Sequence, residues 1–217
     1  RRANKTADAH DFKFSYKKMN PAGSLFDEAK LNDVSKNVIS MFSAEKVVDD
    51  LLEWAEKYDK EYFSLLSRDK EYAKSIFAIG RGGKKPRKDF AVWSETKDYC
   101  SYFYDELFTP TKDYPEKVSS EDIKNILSSY LKVYDVNDDN SAWFDKVKSI
   151  CEPLGFTTDM KAYKQNPDDY KGSVADVSTV IRVAVTGRQN TPDLCTIMQL
   201  LGKERSVSRI EKAIENI

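Results

Sequence analysis

From Ser43 onward, apolar residues in this chain return every three or four positions, and very little interrupts them. Ser43 precedes a run in which Val47, Val48, Leu51, Leu52 and Ala55 fall on one helical face. Asp69 opens a second face with Tyr72, Ala73, Ile76 and Phe77, closed by Gly80-Arg81-Gly82-Gly83. Ser120 starts a third through Ile123, Ile126, Leu127 and Leu131. Ser141 starts a fourth through Phe144, Val147, Ile150 and Cys151, which Pro153 and Gly155 close. Val174, Val177, Ile181, Ala184 and Val185 form another, and a last helix is expected from about Glu204 to the end. A period near 3.6 marks helices with one buried side. Eight Gly and seven Pro in 217 residues leave few points for sharp turns, and no stretch sustains the alternation of a strand. The spacing predicts an all-α fold.

Other stretches set the organisation. Residues 88–108, with Phe90, Trp93, Tyr99, Phe103 and Leu107, read as two consecutive helices. Trp54, Trp93 and Trp143 sit on apolar faces, where packing is their expected role. Asn166–Gly172 reads as a turn or short helix, and the alternation over Phe12–Tyr16 as a short strand. Pro110 and Pro115 mark the main internal break, dividing the chain into 1–42, a helical subdomain over 43–115 and a second over 116–217. No internal repeat or low-complexity tract is present. The start, Arg1-Arg2-Ala3-Asn4, lacks methionine and reads as the opening of a piece of a longer chain.

Composition removes several function classes. Lys plus Arg number 35 against 36 Asp plus Glu, a net charge of -1, so any nucleic-acid surface must be local. Three distant cysteines, Cys100, Cys151 and Cys195, with no CxxC pair, fit reduced thiols rather than a disulfide framework or zinc site. His10 is the single histidine, too little for a His-based metal site or triad. Asp138-Asp139-Asn140 lacks the glycine and closing glutamate of a calcium loop, and Asp49-Asp50 and Asp168-Asp169 read as solvated loops or caps. No catalytic or metal-binding residue is assigned. No apolar run reaches membrane-spanning length and no signal-peptide core is visible, so a soluble cytoplasmic protein is expected.

Two stretches carry binding chemistry. Arg81-Gly82-Gly83-Lys84-Lys85-Pro86-Arg87-Lys88 holds five positive charges in eight residues. Arg81, Lys84, Lys85, Arg87 and Lys88 on an exposed loop would suit phosphate contacts; a solvated charged loop is the plainer alternative. The spacing is not that of a P-loop. The second stretch, Thr186–Leu194, reads as one helix ending, a polar loop and a new helix. In that reading Thr191 is the N-cap, Pro192 the first helical residue and Asp193 lies at the positive end of the dipole. Arg182 and Arg188 precede this start, an arrangement suited to an anionic polymer. An ordinary capped junction is the alternative.

The residues then show a resemblance. Tyr163-Lys164-Gln165-Asn166-Pro167-Asp168-Asp169-Tyr170-Lys171-Gly172 is followed by Ile181-Arg182-Val183-Ala184-Val185-Thr186-Gly187-Arg188. Thr191-Pro192-Asp193-Leu194 and Leu200-Leu201-Gly202-Lys203-Glu204-Arg205 come next. That order resembles the anticodon-binding region of bacterial glutamyl-tRNA synthetases. Ser24-Leu25-Phe26-Asp27 with Lys30-Leu31 is similar to the element that begins that family's stem-contact region, so 1–42 is expected to be its remnant. The stretch from Arg87 to Phe108 is similar to the first anticodon-binding subdomain. The resemblance covers nearly the whole chain, most strongly over 160–210.

It implies an all-α, two-subdomain tRNA-binding region of a class I glutamate–tRNA ligase. The partner would be tRNA(Glu), with tRNA(Gln) left open, and not DNA or membrane; a monomer is expected. The family's arginine and Thr-Pro-x-Leu positions map to Arg182, Thr191, Pro192 and Leu194, joined by Thr186 and Arg188 as candidate RNA contacts. Arg68 is a weaker candidate for the arginine that reads the third anticodon base. Asp193 adds a negative charge near RNA that the resemblance leaves unexplained. The His-Ile-Gly-His and Lys-Met-Ser-Lys-Ser type motifs are absent; Lys18-Met19-Asn20-Pro21 is not the latter. ATP and magnesium are therefore implied for the parent's catalytic domain, and no cofactor for this piece. The alternative from another class is a helical protein–protein interaction module without an RNA role, against which the missing 20–50-residue period counts.

Overall fold

Helix caps divide the chain. The computed structural model describes residues 13–19, 23 and 26–217. Helix α1 (Glu28–Ser40) is capped by Asp27 and α2 (Ala44–Tyr58) by Ser43, each side chain accepting the backbone N–H three residues on. Asp59 caps α3 (Lys60–Arg68) and Asp69 caps α4 (Lys70–Ala78) in the same way. An Asp in extended conformation at each junction ends one helix and starts the next, because its carboxylate satisfies donors that the new first turn leaves open.

The segment expected as two helices is instead a series of single turns: a 3-10 turn at Trp93–Glu95, α5 (Thr96–Tyr99) and a 3-10 turn at Ser101–Phe103. The physical reason lies in Tyr102, Phe103 and Tyr104. These consecutive residues are 1%, 1% and 3% exposed, and a one-sided helix cannot bury three neighbours at once.

The second half contains α6 (Ser120–Val133), α7 (Asn140–Cys151), α8 (Met160–Gln165), α9 (Val174–Thr186), α10 (Leu194–Leu201) and α11 (Lys203–Asn216). Asp139 caps α7, so that helix begins at Asn140 rather than Ser141. A 3-10 turn occupies Pro167–Asp169. Strands β1 (Phe156–Thr157) and β2 (Gly172–Ser173) pair in parallel, Phe156 opposite Gly172; two residues each, they pin the entry to α9 and leave the fold all-helical. Ser173 and Asp176 complete a capping box there.

Helix α2 packs on α3 and α4; α11 packs on α6, α9 and α10; α6 on α7 and α9; and α4 touches α10. One apolar core includes Val47, Leu51, Phe77 and Phe103 at one end and Ile126, Ile181, Ile197 and Ile210 at the other. All five apolar residues expected on the inner face of α9 are buried. Tyr16 lies in a 3-10 turn, Tyr16–Lys18, not a strand; Phe12, His10, Ser24-Leu25 and Asn20-Pro21 lie outside the described residues.

Candidate nucleic-acid interface

Helix α9 ends at Gly187, whose backbone is left-handed at φ 72°. A Cβ there would stand 2.7 Å from the Thr109 carbonyl oxygen, so glycine alone lets this turn pass the strap formed by residues 105–115. The strap is tied back by Thr111 Oγ1, which donates to the Gly187 carbonyl at 2.9 Å, and by Asp113, which accepts from Gln189 Nε2 at 3.0 Å.

Arg182, one turn inside α9, organises the loop beyond. Its Nη1 donates to Thr191 Oγ1 at 2.6 Å and to the Pro192 carbonyl at 3.0 Å. Thr186 Oγ1 donates to the Arg182 carbonyl at 2.7 Å and accepts from the Arg188 N–H at 3.2 Å. Burial lowers the guanidinium pKa of Arg182, with Asp193 opposing the shift and the Arg87 charge adding to it.

This network moves the start of α10. Thr191 and Pro192 were expected as cap and first helical residue. The cap is Asp193, whose Oδ1 accepts from the Thr196 N–H at 2.8 Å and from Thr196 Oγ1 at 2.7 Å, and the helix begins at Leu194. The Thr191 hydroxyl is already held by a guanidinium, while a carboxylate gains from the helix dipole and accepts strongly. The negative charge of Asp193 thus serves the start of α10. Thr186, Thr191, Pro192 and Leu194 are buried, Leu194 at 2% exposure; Gln189, Asn190 and Asp193 are the exposed side chains of the loop.

The basic run divides by residue type. Arg81 is half-buried: it donates to the Ile39 carbonyl at 2.7 Å and lies over the Phe90 ring. Arg87 clasps Asp89, with Nη2 to Oδ1 at 2.7 Å. Its stem crosses Gly80 so closely that a Cβ on that glycine, at φ +72°, would lie 2.6 Å from Arg87 Cδ. Lys84, Lys85 and Lys88 are exposed. Arg68 pairs with Glu106.

The fold brings Arg87 and Arg182 close enough for their charges to interact. Arg188 is held by bonds to both Asp98 carboxylate oxygens (3.0 and 2.6 Å), the Asp98 carbonyl and Ser101 Oγ. Its guanidinium lies 5.9 Å from the Tyr102 ring centroid. Tyr102, which sequence reasoning missed, is 1% exposed, and its hydroxyl has no hydrogen-bond partner among the described residues. Burial pushes its phenol pKa up. The aromatic density around Tyr99–Tyr104 was its only signal. Arg188 thus lies near one buried phenol, with Arg87 and Arg182 within electrostatic reach of it, the three arginines coming from two segments of the chain. Among the described residues, no group of three or more His, Cys, Asp or Glu could hold a metal ion, and no helix is long and apolar enough to cross a membrane.

An all-helical scaffold with hydrogen-bonded guanidinium groups about one inter-helix loop defines the class, a helical domain. The chain belongs to the anticodon binding domain family, whose model matches residues 46–214. The glutamate–tRNA ligase of Acetivibrio thermocellus is 44% identical over 211 residues, covering 97% of this chain and 39% of that protein. That of Clostridium perfringens strain 13 is 44% identical over 214 residues, with the same shares. That of Sorangium cellulosum is 39% identical over 214 residues. The chain therefore spans about 39% of the length of such relatives. A solved glutamate tRNA ligase from Elizabethkingia meningosepticum, in complex with its amino acid, superposes with a TM-score of 0.57. The match covers 94% of this chain and 35% of that one, at 16% identity, a likeness of fold. The expected family and all-α class are borne out.

Proposed function

We propose that this chain is the tRNA-binding region of a glutamate–tRNA ligase and that the Arg182–Leu194 corner docks the anticodon loop. The observation that carries the proposal is the network in which Arg182 holds Thr191 and Pro192 and Thr186 bridges Arg182 and Arg188, within the residues matched by the anticodon-binding model. Guanidinium groups held by carbonyls and carboxylates offer remaining N–H donors and flat faces to splayed bases. Lys84, Lys85 and Lys88, exposed on the neighbouring loop, supply phosphate contacts that give affinity without reading sequence. In this arrangement Thr191, Pro192 and Leu194 shape the corner from beneath, while Gln189 and Asn190 stand at its surface. Residues 43–115 and 116–217 act as its two helical halves.

The relatives' name, glutamate–tRNA ligase, supports glutamate and tRNA as substrates, and the rest extends that reading. The parent protein joins glutamate to tRNA(Glu), or also to tRNA(Gln), in the cytoplasm as a monomer. ATP and magnesium would serve a catalytic part outside this chain. The test is fluorescence anisotropy of labelled tRNA(Glu) and of an unrelated tRNA against the chain at moderate salt. Preferential binding of tRNA(Glu), competed by its isolated anticodon stem-loop, supports the proposal. Equal binding of both tRNAs overturns it.

A further inference from the structure

A second concavity lies behind the strap. It encloses about 700 Å³ between the strap, α9 and the C-terminal turns of α11, within the range of small-molecule sites. Phe108, Pro110 and Tyr114 line it from the strap, Ala184 from α9, and Ala213 and Ile217 from α11. Its walls are mainly apolar, and three sequence-distant segments form them.

The polar groups are unevenly placed. Arg209, which also lines the cleft, is fully engaged: it donates to the Tyr102 carbonyl at 2.7 Å, the Val185 carbonyl at 2.9 Å and Asp105 at 2.8 Å. Its guanidinium stacks 3.7 Å from the Phe108 ring centroid. Arg205 is likewise engaged by the Leu201 and Phe103 carbonyls and by Tyr72. Lys112 on the strap and Lys212 on α11 are exposed at the lining, with no ion pair among the described residues. Glu204 also lines the cleft, but eight residues before Lys212 on the same helix, about 12 Å along the axis at 1.5 Å per residue. Asp105, paired with Arg209, is the other carboxylate of the lining, so the cleft joins an apolar floor to charged groups in which Arg205, Arg209, Lys112 and Lys212 outnumber Asp105 and Glu204.

We propose that this cleft binds an amphipathic anion: an aryl or medium-chain alkyl body on the Phe108–Tyr114–Ala213 floor, with a carboxylate or sulfonate at Lys112 or Lys212. Charge complementarity selects an anionic head over a neutral one, and a volume of about 700 Å³ selects an aryl or medium-chain body over a long chain. The site adjoins the anticodon corner through the Thr111–Gly187 bond but does not depend on that reading.

The probe is 1-anilinonaphthalene-8-sulfonate, titrated into the whole chain and followed by its fluorescence. Saturable binding at one site is expected. Ala213→Trp, which fills the floor, should abolish that phase, and Lys112→Glu with Lys212→Glu, both at exposed positions, should weaken it at least tenfold. Decanoate should compete at least tenfold better than decanol. The exposed apolar face of α1 (Leu31, Val34, Val38) could also attract the dye. Binding that survives both the Ala213→Trp and the double lysine variants overturns the proposal, as does equal competition by decanol. If Ala213→Trp fails to fold by circular dichroism, the lysine variant and the decanoate–decanol pair decide the matter.

Discussion

The guanidinium of Arg182 holds the hydroxyl of Thr191, nine residues away, at 2.6 Å. That bond, with the one to the Pro192 carbonyl, fixes the loop between α9 and α10 from inside. Replacing Arg182 with Met removes the donor but keeps much of the apolar stem, leaving partly buried acceptors unpaired at about 1–3 kcal/mol. Urea denaturation should show that loss. Anticodon stem-loop binding should fall further than the unfolded fraction explains, because the loop relaxes. A variant with unchanged urea midpoint and unchanged affinity would remove Arg182 from both roles.

Asp193 separates capping from charge. Asp193→Ala discards the acceptor for Thr196 and should cost about 1 kcal/mol of stability. Asp193→Asn keeps a capping oxygen and removes the negative charge, so stability should hold within a few tenths of that figure. RNA affinity of the Asn variant should rise two- to threefold if the corner faces phosphates. Thermal melts and anisotropy titrations on the two variants read the two effects independently.

How far the chain could be read in advance follows from where the decisive contacts lie. Local periodicity predicts α2, α4, α6, α7, α9 and α11 because each buries one face: Val47, Val48, Leu51 and Ala55 in α2 are all at 0% exposure, although Phe144, expected on the α7 face, is exposed and Trp143 is buried in its place. It fails over 88–108, where Tyr102, Phe103 and Tyr104 are buried in succession and tertiary packing overrides a helical period. The capping rule chose Thr191 because it cannot see Arg182 reaching across the loop. The basic run was visible, but not its division into engaged arginines and exposed lysines. That division depends on the Ile39 carbonyl and Asp89 lying where the guanidinium groups can reach them. Tyr102 has no sequence signature, since an aromatic in an aromatic-rich stretch reads as core.

Arg209 predicts a structural failure distinct from a binding one. It joins the carbonyls of Tyr102 and Val185, and so ties the 99–108 segment to the end of α9. Arg209→Met strands both buried acceptors at about 1–3 kcal/mol each, a larger loss than at Arg182. Arg209→Lys, with one compact donor group, should recover only part of it. Equal urea midpoints for Arg209→Met and the parent chain would exclude this tie.

The thiols offer a pH test. Burial pushes Cys100 up to about 12, and Cys151 and Cys195 to about 11, against about 8.5 in an unfolded chain. The folded state therefore binds protons more tightly. Its contribution to stability is complete below about pH 8.5 and is lost as pH rises through the folded values. Melting temperature should decline progressively above about pH 8.5. Ellman's reagent at pH 8 should leave the native thiols unmodified and label all three cysteines once guanidinium unfolds the chain.

The exposed lysines give the sharpest separation of affinity from fold. Lys84, Lys85 and Lys88 lie at the surface, whereas Arg87 is bound to Asp89 and packed across Gly80. Changing the three lysines to Ala should leave the urea midpoint unchanged within about 0.5 kcal/mol, as for ordinary surface substitutions. If each contacts a phosphate, the slope of log K against log salt should fall by about 0.7–0.9 per lost contact, about 2–3 in all. The ratio of affinities for tRNA(Glu) and an unrelated tRNA should stay constant, because phosphate contacts carry no sequence information. Arg87→Ala should instead lower stability and narrow that ratio, because it disturbs the arginine group around Tyr102. An unchanged salt slope in the triple variant would leave the loop as solvated charge and move the phosphate contacts elsewhere on the domain.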